Sequence, residues 1–337
     1  MKKTFYITIL LLVSQTIFSQ TNFEKTDEYA RNIEYNPDES LAKELTKNCS
    51  SELEKVRSIF VWITDNIAYD FDLYQNPTLQ QELYVTSENV IKNTLDSKKA
   101  ICSGYSLLFK SLCDEIGIEC VSIDGYSRQF LDGFNEKTEP DHAWNAVKIN
   151  NKWYLLDATW ASGNGFGNRF EKGFDEYWFL TKPEEFIYTH FPLDSKWTLL
   201  NQNYDKEYFY DLPVLTSHWF FTKGVKVIEP KNGILEIGSD NKFSFEIERI
   251  NNETEISIIA TPWHTYATLN NLPEPTDEEF KKDPSKYNLV IPSIELSKEK
   301  KDGNKTTFEF IAKHKKIKTI ILSIDGNQTA EFKVKWK

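Results

Sequence analysis

Four cysteines in a chain of 337 residues are too few for a disulfide framework, even in an exported protein. No apolar run reaches the roughly 20 residues needed to cross a bilayer as a helix. Basic charge is in deficit, with 40 Lys and Arg against 51 Asp and Glu and a formal charge of −11. That argues against a nucleic-acid or anionic-membrane partner, each of which selects a basic surface. There is no internal repeat and no calcium-loop pattern, and the acidic runs read as solvated surface. Neither a metal nor another cofactor is therefore expected. What remains, with 40% hydrophobic and 14% aromatic residues, is globular in composition.

The segment "MKKTFYITILLLVSQTIFSQ", residues 1–20, has two lysines, a short apolar core and a polar Ser/Gln end. This is the layout of a secretory signal peptide, so a secreted or periplasmic location is expected, without membrane insertion after cleavage. No cysteine lies near its end to carry a lipid anchor. Removing its two lysines takes the formal charge from −11 to −13.

Two helices can be read with their ends. In "SELEKVRSIFVWITDNI" (51–67), Leu53, Val56, Phe60, Ile63 and Ile67 recur at steps of three and four, and Ser51 with Glu54 forms a capping-box pattern. After Cys102, Tyr105, Leu108, Phe109, Leu112 and Ile116 mark a second helical face, closed by Gly117 at a left-handed cap position. A short helix is expected around "SENVIKNTL". Short β runs follow residue 118: "IECVSIDGYS", "HAWNAVKI" and "KWYLLDATW". From about residue 212 the chain alternates in short strands, with a long polar loop over 272–287, and reads as a β-sandwich. The expected organisation is a first domain over 21–211 and a β-sandwich domain over 212–337.

Cys102 stands where a helix begins. There the helix dipole favours a thiolate and the first amides have no helical partner. Cys113 and Cys120 read as buried small apolar residues rather than a bridge. Downstream, "DHAWNAVKINNKWYLLDATW" (141–160) places two strands around Asn150-Asn151, which suit a tight hairpin turn. With those two residues in the turn, Ile149 faces Lys152, His142 faces Thr159 and Trp144 faces Asp157. His142 and Asp157 then share a face as diagonal neighbours, within reach of one another. His190, His218, His264 and His314 have no same-face acid that local pattern can place.

"AICSGYSLLFKSLCDEIGIECVSIDGY", "HAWNAV" and "WYLLDATW" resemble the transglutaminase-like superfamily of papain-like thiol enzymes. "FLTKPEEFIYTHFPLDSKWTLL" and "VIEPKNGILEI" resemble its kyphoscoliosis-peptidase branch. The resemblance implies an α+β papain/transglutaminase-like core, helices packed on an antiparallel sheet, followed by an immunoglobulin-like β-sandwich. It also implies a catalytic Cys102 nucleophile, His142 base and Asp157 orienting acid. The expected activity is acyl transfer on peptide or protein amides through a thioester, by hydrolysis rather than cross-linking. Trp62, Tyr69, Trp144 and Trp160 are accessory candidates against a plain core role. The alternative is a non-catalytic binding or scaffold protein on the same fold, its β-sandwich contacting a partner. The sequence leaves the oligomeric state open.

Overall fold

The computed structural model describes residues 22–129, 133–166, 169–202, 204–215, 221, 223–249, 254–261, 264–265, 275–283, 290–291 and 293–337. The candidate export segment 1–20 lies outside them, as does His218.

Helices α1 (Glu24–Arg31), α2 (Leu41–Thr46) and α3 (Glu52–Asn66) open the chain. Ser51 caps α3 by accepting from the Glu54 amide at 3.2 Å, as its pattern predicts. The reciprocal half of the box forms one residue earlier, because the Glu54 carboxylate takes the Ser50 amide instead. α3 is also buried beyond its expected stripe, from Val56 to Thr64 without a break. Other helices enclose it on several sides. Arg57, 3% exposed, grips both carboxylate oxygens of Asp27 on α1 at 2.8 and 2.7 Å. It also grips Glu176, at 2.6 and 2.7 Å. The guanidinium thereby ties residues far apart in sequence by paired, charge-assisted hydrogen bonds.

Next come β1 (Ala68–Tyr69), α4 (Phe71–Tyr74), α5 (Pro77–Leu83), α6 (Ser87–Ser97) and β2 (Lys99–Ala100). Helix α7 (Cys102–Glu115) starts with Cys102 as its first residue and ends at Gly117, whose φ of +73° confirms the left-handed cap. Gly104 lets α6 approach the start of α7: a Cβ there would lie 2.7 Å from the Thr94 hydroxyl and 2.6 Å from Ala100 Cβ.

α7 packs on a four-stranded antiparallel sheet. Its members are β3 (Cys120–Ser127), β4 (His142–Ile149), β5 (Lys152–Leu156) and β8 (His190–Pro192), in the order β5-β4-β3-β8. Between β5 and β8 lie α8 (Ala158–Ala161), the hairpin β6 (Gly163–Phe166) and β7 (Arg169–Lys172), and α9 (Pro183–Phe186). The helices and this sheet bury one continuous core including Phe60, Trp62, Tyr105, Phe109 and Trp144. This is the α+β core that the sequence implies.

Helix α10 (Lys206–Asp211) and β9 (Val214–Leu215) lead into the second region. Its strands are β10 (Val225–Glu229), β11 (Ile234–Ile237), β12 (Lys242–Arg249), β13 (Ile256–Thr261), β14 (His264–Thr265), β15 (Val290–Ile291), β16 (Ile294–Asp302), β17 (Lys305–Ala312), β18 (Thr319–Ile324) and β19 (Asn327–Trp336). One sheet runs β10-β12-β17-β16 and another β11-β19-β18-β13. Alternate residues of both, among them Phe243, Phe245, Leu322 and Phe332, enter one core, and the Phe245 and Phe332 rings meet edge-on at 5.0 Å. β11 runs parallel to β19, whereas the other pairings within these two sheets are antiparallel. The expected loop over 272–287 contains a helix, α11 (Asp277–Lys282), begun by a capping box of Thr276 and Glu279.

The joint between the regions is gripped from both sides. Arg128, 1% exposed and just past β3, donates to the carbonyls of Tyr210, Leu212 and Pro213 at 3.2, 3.1 and 2.9 Å. On the other side a Cβ at Gly233 would come within 2.4 Å of the Leu212 carbonyl, so only glycine admits this approach.

Candidate functional site: a buried histidine–aspartate–histidine cluster

The β4–β5 hairpin has the register its turn predicts, with Ile149 facing Lys152 and Asn145 facing Leu156. Asn150 and Asn151 adopt φ of 49° and 63°, the left-handed pair that a two-residue turn between twisted strands requires. Pairing stops at Leu156. Asp157 leaves the strand to cap α8, its Oδ1 accepting from the amides of Thr159 and Trp160 at 2.7 and 3.0 Å. The expected pairings of His142 with Thr159 and of Trp144 with Asp157 therefore do not form. His142 faces Gly125 of β3 instead.

Capping leaves the second oxygen, Oδ2, pointing at the imidazoles. His142 Nε2 lies 2.7 Å from it and His190 Nε2 3.1 Å from it. β8 delivers His190 by pairing with the end of β3, where Ser127 faces His190 and Gly125 faces Pro192. Gly125 makes this possible. A Cβ there would sit 2.3 Å from the Phe191 carbonyl and 2.5 Å from the Trp144 ring.

The cluster is dry. Asp157 is 0% exposed, His190 1% and His142 8%. Trp160 lies 5.4 Å from His142 and 4.4 Å from His190, between ring centroids. Phe186 stacks on His190 at 4.1 Å, and Trp178 and Trp144 close around it. Trp160 thus shields the pair. Trp62 and Trp144 are core residues, Trp62 donating to the Ile33 carbonyl, and Tyr69 packs with Phe71 and Tyr74.

In so dry a place the three charges must balance. Burial works against the charged form of His142, but the Asp157 carboxylate outweighs it and pushes the imidazole up to about 10, with a smaller upward push from Cys102. Burial also opposes the Asp157 charge, yet the two histidines hold its carboxyl well below the usual range. For His190 burial wins, and its pKa falls to about 4. At neutral pH the unit is imidazolium, carboxylate and neutral imidazole, with no net charge. Neutral His190 carries its proton on Nε2 toward Asp157, which leaves Nδ1 to accept from the Thr189 hydroxyl at 2.9 Å.

These three side chains are also the cluster of potential metal ligands among the described residues, their atoms within 4.8 Å of one another. Their separations of 2.7 and 3.1 Å are those of hydrogen bonds. They are shorter than the edge of about 3.3 Å that tetrahedral bonds of 2.0–2.1 Å imply. A metal would have to spread them apart.

The expectation of a thiol-dependent acyl-transfer enzyme is corrected here. The ligand atoms that cluster within 4.8 Å of one another are those of His142, Asp157 and His190; Cys102 is not a member of that cluster, although its side chain interacts with His142 from the helix start. In place of the expected Cys102–His142–Asp157 triad the cluster found is His142–Asp157–His190, with the acid shared between the two histidines. His190 reaches the site through a strand pairing across the sheet, and local pattern had set it aside. Cys102 does begin its helix as read from sequence and is half-buried, while Cys113 and Cys120 are buried and all four thiols are free.

Residues 39–158 match the transglutaminase-like superfamily. This segment of the chain belongs to that superfamily. Within it the chain is related to the kyphoscoliosis-peptidase branch. It is 35% identical to Kyphoscoliosis peptidase of Mus musculus over 213 residues, covering 58% of this chain and 31% of that protein. Hillarin of Drosophila melanogaster is 29% identical over 199 residues, covering 53% of this chain and 23% of Hillarin. A solved structure titled a TGase is similar at 20% identity with a TM-score of 0.28, covering 48% of this chain and 37% of the other. The chain thus spans less than a third of the curated relatives' length. The superfamily match ends at residue 158, so His190 lies beyond it.

Proposed function

We propose that this transglutaminase-like chain is a non-catalytic binding or scaffold protein, exported by its first 20 residues, whose C-terminal sheets form an immunoglobulin-type β-sandwich that contacts a partner. The observation that supports the reading is the His142–Asp157–His190 unit, in which the carboxylate serves two imidazoles and the clustered ligand atoms include no cysteine. The terminal strand of one C-terminal sheet supports the partner surface. From Glu295 to Asp302 every residue of β16 is exposed, Leu296 at 47%. Its lysines discourage indiscriminate edge pairing and leave a selective contact. No helix among the described residues is long and apolar enough to cross a membrane, which suits partners met in water.

The test compares full-length wild type, Cys102→Ala and Leu296→Asp. Partner capture from the extracellular fraction should survive Cys102→Ala and fall with Leu296→Asp. Peptide-amide turnover that Cys102→Ala abolishes would overturn the proposal.

A further inference from the structure

Between Arg57 and Lys92 the sequence holds no lysine or arginine, but it holds Asp65, Asp70, Asp72, Glu82 and Glu88. The structure folds the centre of this stretch into α4, α5 and the start of α6. Helix α5 is unusual in having no buried residue at all. Polar bonds hold it in place. Asn76 caps its start, the Gln80 side chain donates to the carbonyls of Leu73 and Tyr74 at 2.9 and 3.0 Å, and Asn93 of α6 donates to the Leu83 carbonyl at 2.7 Å. Leu79 is half-buried, and large apolar side chains along this stretch face out. Tyr74 is 53% exposed, Leu83 37% and Val85 67%. Exposed large apolar groups gathered in so short a segment mark a contact surface. Asp72, Glu82 and Glu88 are exposed in the same stretch, which carries no lysine or arginine before Lys92.

We propose that the α4–α6 segment is a docking surface for a cationic polypeptide segment that carries apolar side chains among its lysines or arginines. Leu83, Val85 and Tyr74 take its apolar residues, and Asp72, Glu82 and Glu88 take its charges. Charge complementarity selects this occupant. An acidic segment is repelled, and a neutral one leaves the carboxylates unpaired. The surface belongs to the first region, so it stands or falls separately from a contact made by β16.

Three synthetic peptides of equal length test it on the full-length protein by fluorescence anisotropy: leucine with lysine, leucine with glutamate, and serine with lysine. The leucine–lysine peptide should bind, and its affinity should fall as salt rises. Leu83→Ser with Val85→Ser should weaken binding about tenfold by removing apolar contact. Asp72→Asn with Glu82→Gln and Glu88→Gln should weaken it by a similar factor and flatten the salt dependence. All these positions are exposed, so folding is not at stake. The proposal is overturned if the leucine–lysine peptide does not bind, if either control peptide binds as tightly, or if both variants bind like wild type. Self-association of the protein through this face, seen as a dimer lost in the serine variant, would also overturn it.

Discussion

The two regions of the molecule bury different chemistry. Residues up to Thr198 bury Arg57, Arg128, Asp27, Asp157, His142, His190 and Asn145 beside their apolar core. Beyond residue 212, the buried polar side chains among the described residues are all hydroxyls: Thr254, Ser293, Thr306, Ser323 and Thr329. One region is held by charges that must be matched across long sequence distances, the other by phenylalanines and aliphatic strands. The difference teaches where pH acts. The buried titratable side chains lie in the first region, and the second buries none among its described residues.

Asp157→Ala should break this contrast most severely. It removes the counter-charge of His142, a partner of His190 and the cap of α8 together, and breaking a buried pair costs about 3–5 kcal/mol. Chemical denaturation followed by tryptophan fluorescence should show the first region unfolding early. A loss below about 1 kcal/mol would mean that the cluster does not hold the fold.

Phe245→Ala is the counterpart in the second region. The ring is 0% exposed, and its loss should cost about 3 kcal/mol. That cost should be the same at every pH between acid and alkaline limits, whereas the Asp157→Ala cost should vary.

The pH profile of the wild type sharpens the comparison. His142 is raised from 6.5 to about 10, so its stabilisation is full below 6.5 and is lost as pH climbs through 10. His190 is lowered from 6.5 to about 4, so its contribution is full above 6.5 and is lost toward 4. The lowered Asp157 adds to the acid-side loss. Melting temperature should therefore peak near the shared reference of 6.5 and fall on both sides by several degrees. In Asp157→Asn the alkaline fall should flatten. A flat wild-type profile would remove the charged-and-neutral assignment of the two histidines.

The smallest effect is at the turn. Asn151→Ala puts a residue that tolerates the left-handed region less well than asparagine at a φ of 63° and should cost about 1 kcal/mol, measured by the same denaturation.

The sequence by itself determined the start of α7 at Cys102, the cap of α3 at Ser51, the left-handed Gly117 and the hairpin register through Asn150-Asn151. Each depends on dihedral preferences and periodicity within a few residues, which the chain carries wherever it folds. Even there its reach ended at Leu156, because a carboxylate that caps a helix is worth more than one more strand pair. Tertiary structure alone decided that His190, 33 residues beyond Asp157, would share its oxygen. It also decided that Arg57 would meet Glu176 across 119 residues, and that Arg128 would hold the joint at Pro213 across 85. Buried charges find partners by proximity in the folded core, and no local pattern records which distant strand will bring them. That is why the fold of the first region and the meeting of His142 with Asp157 were legible, and the sharing of that acid with His190 was not.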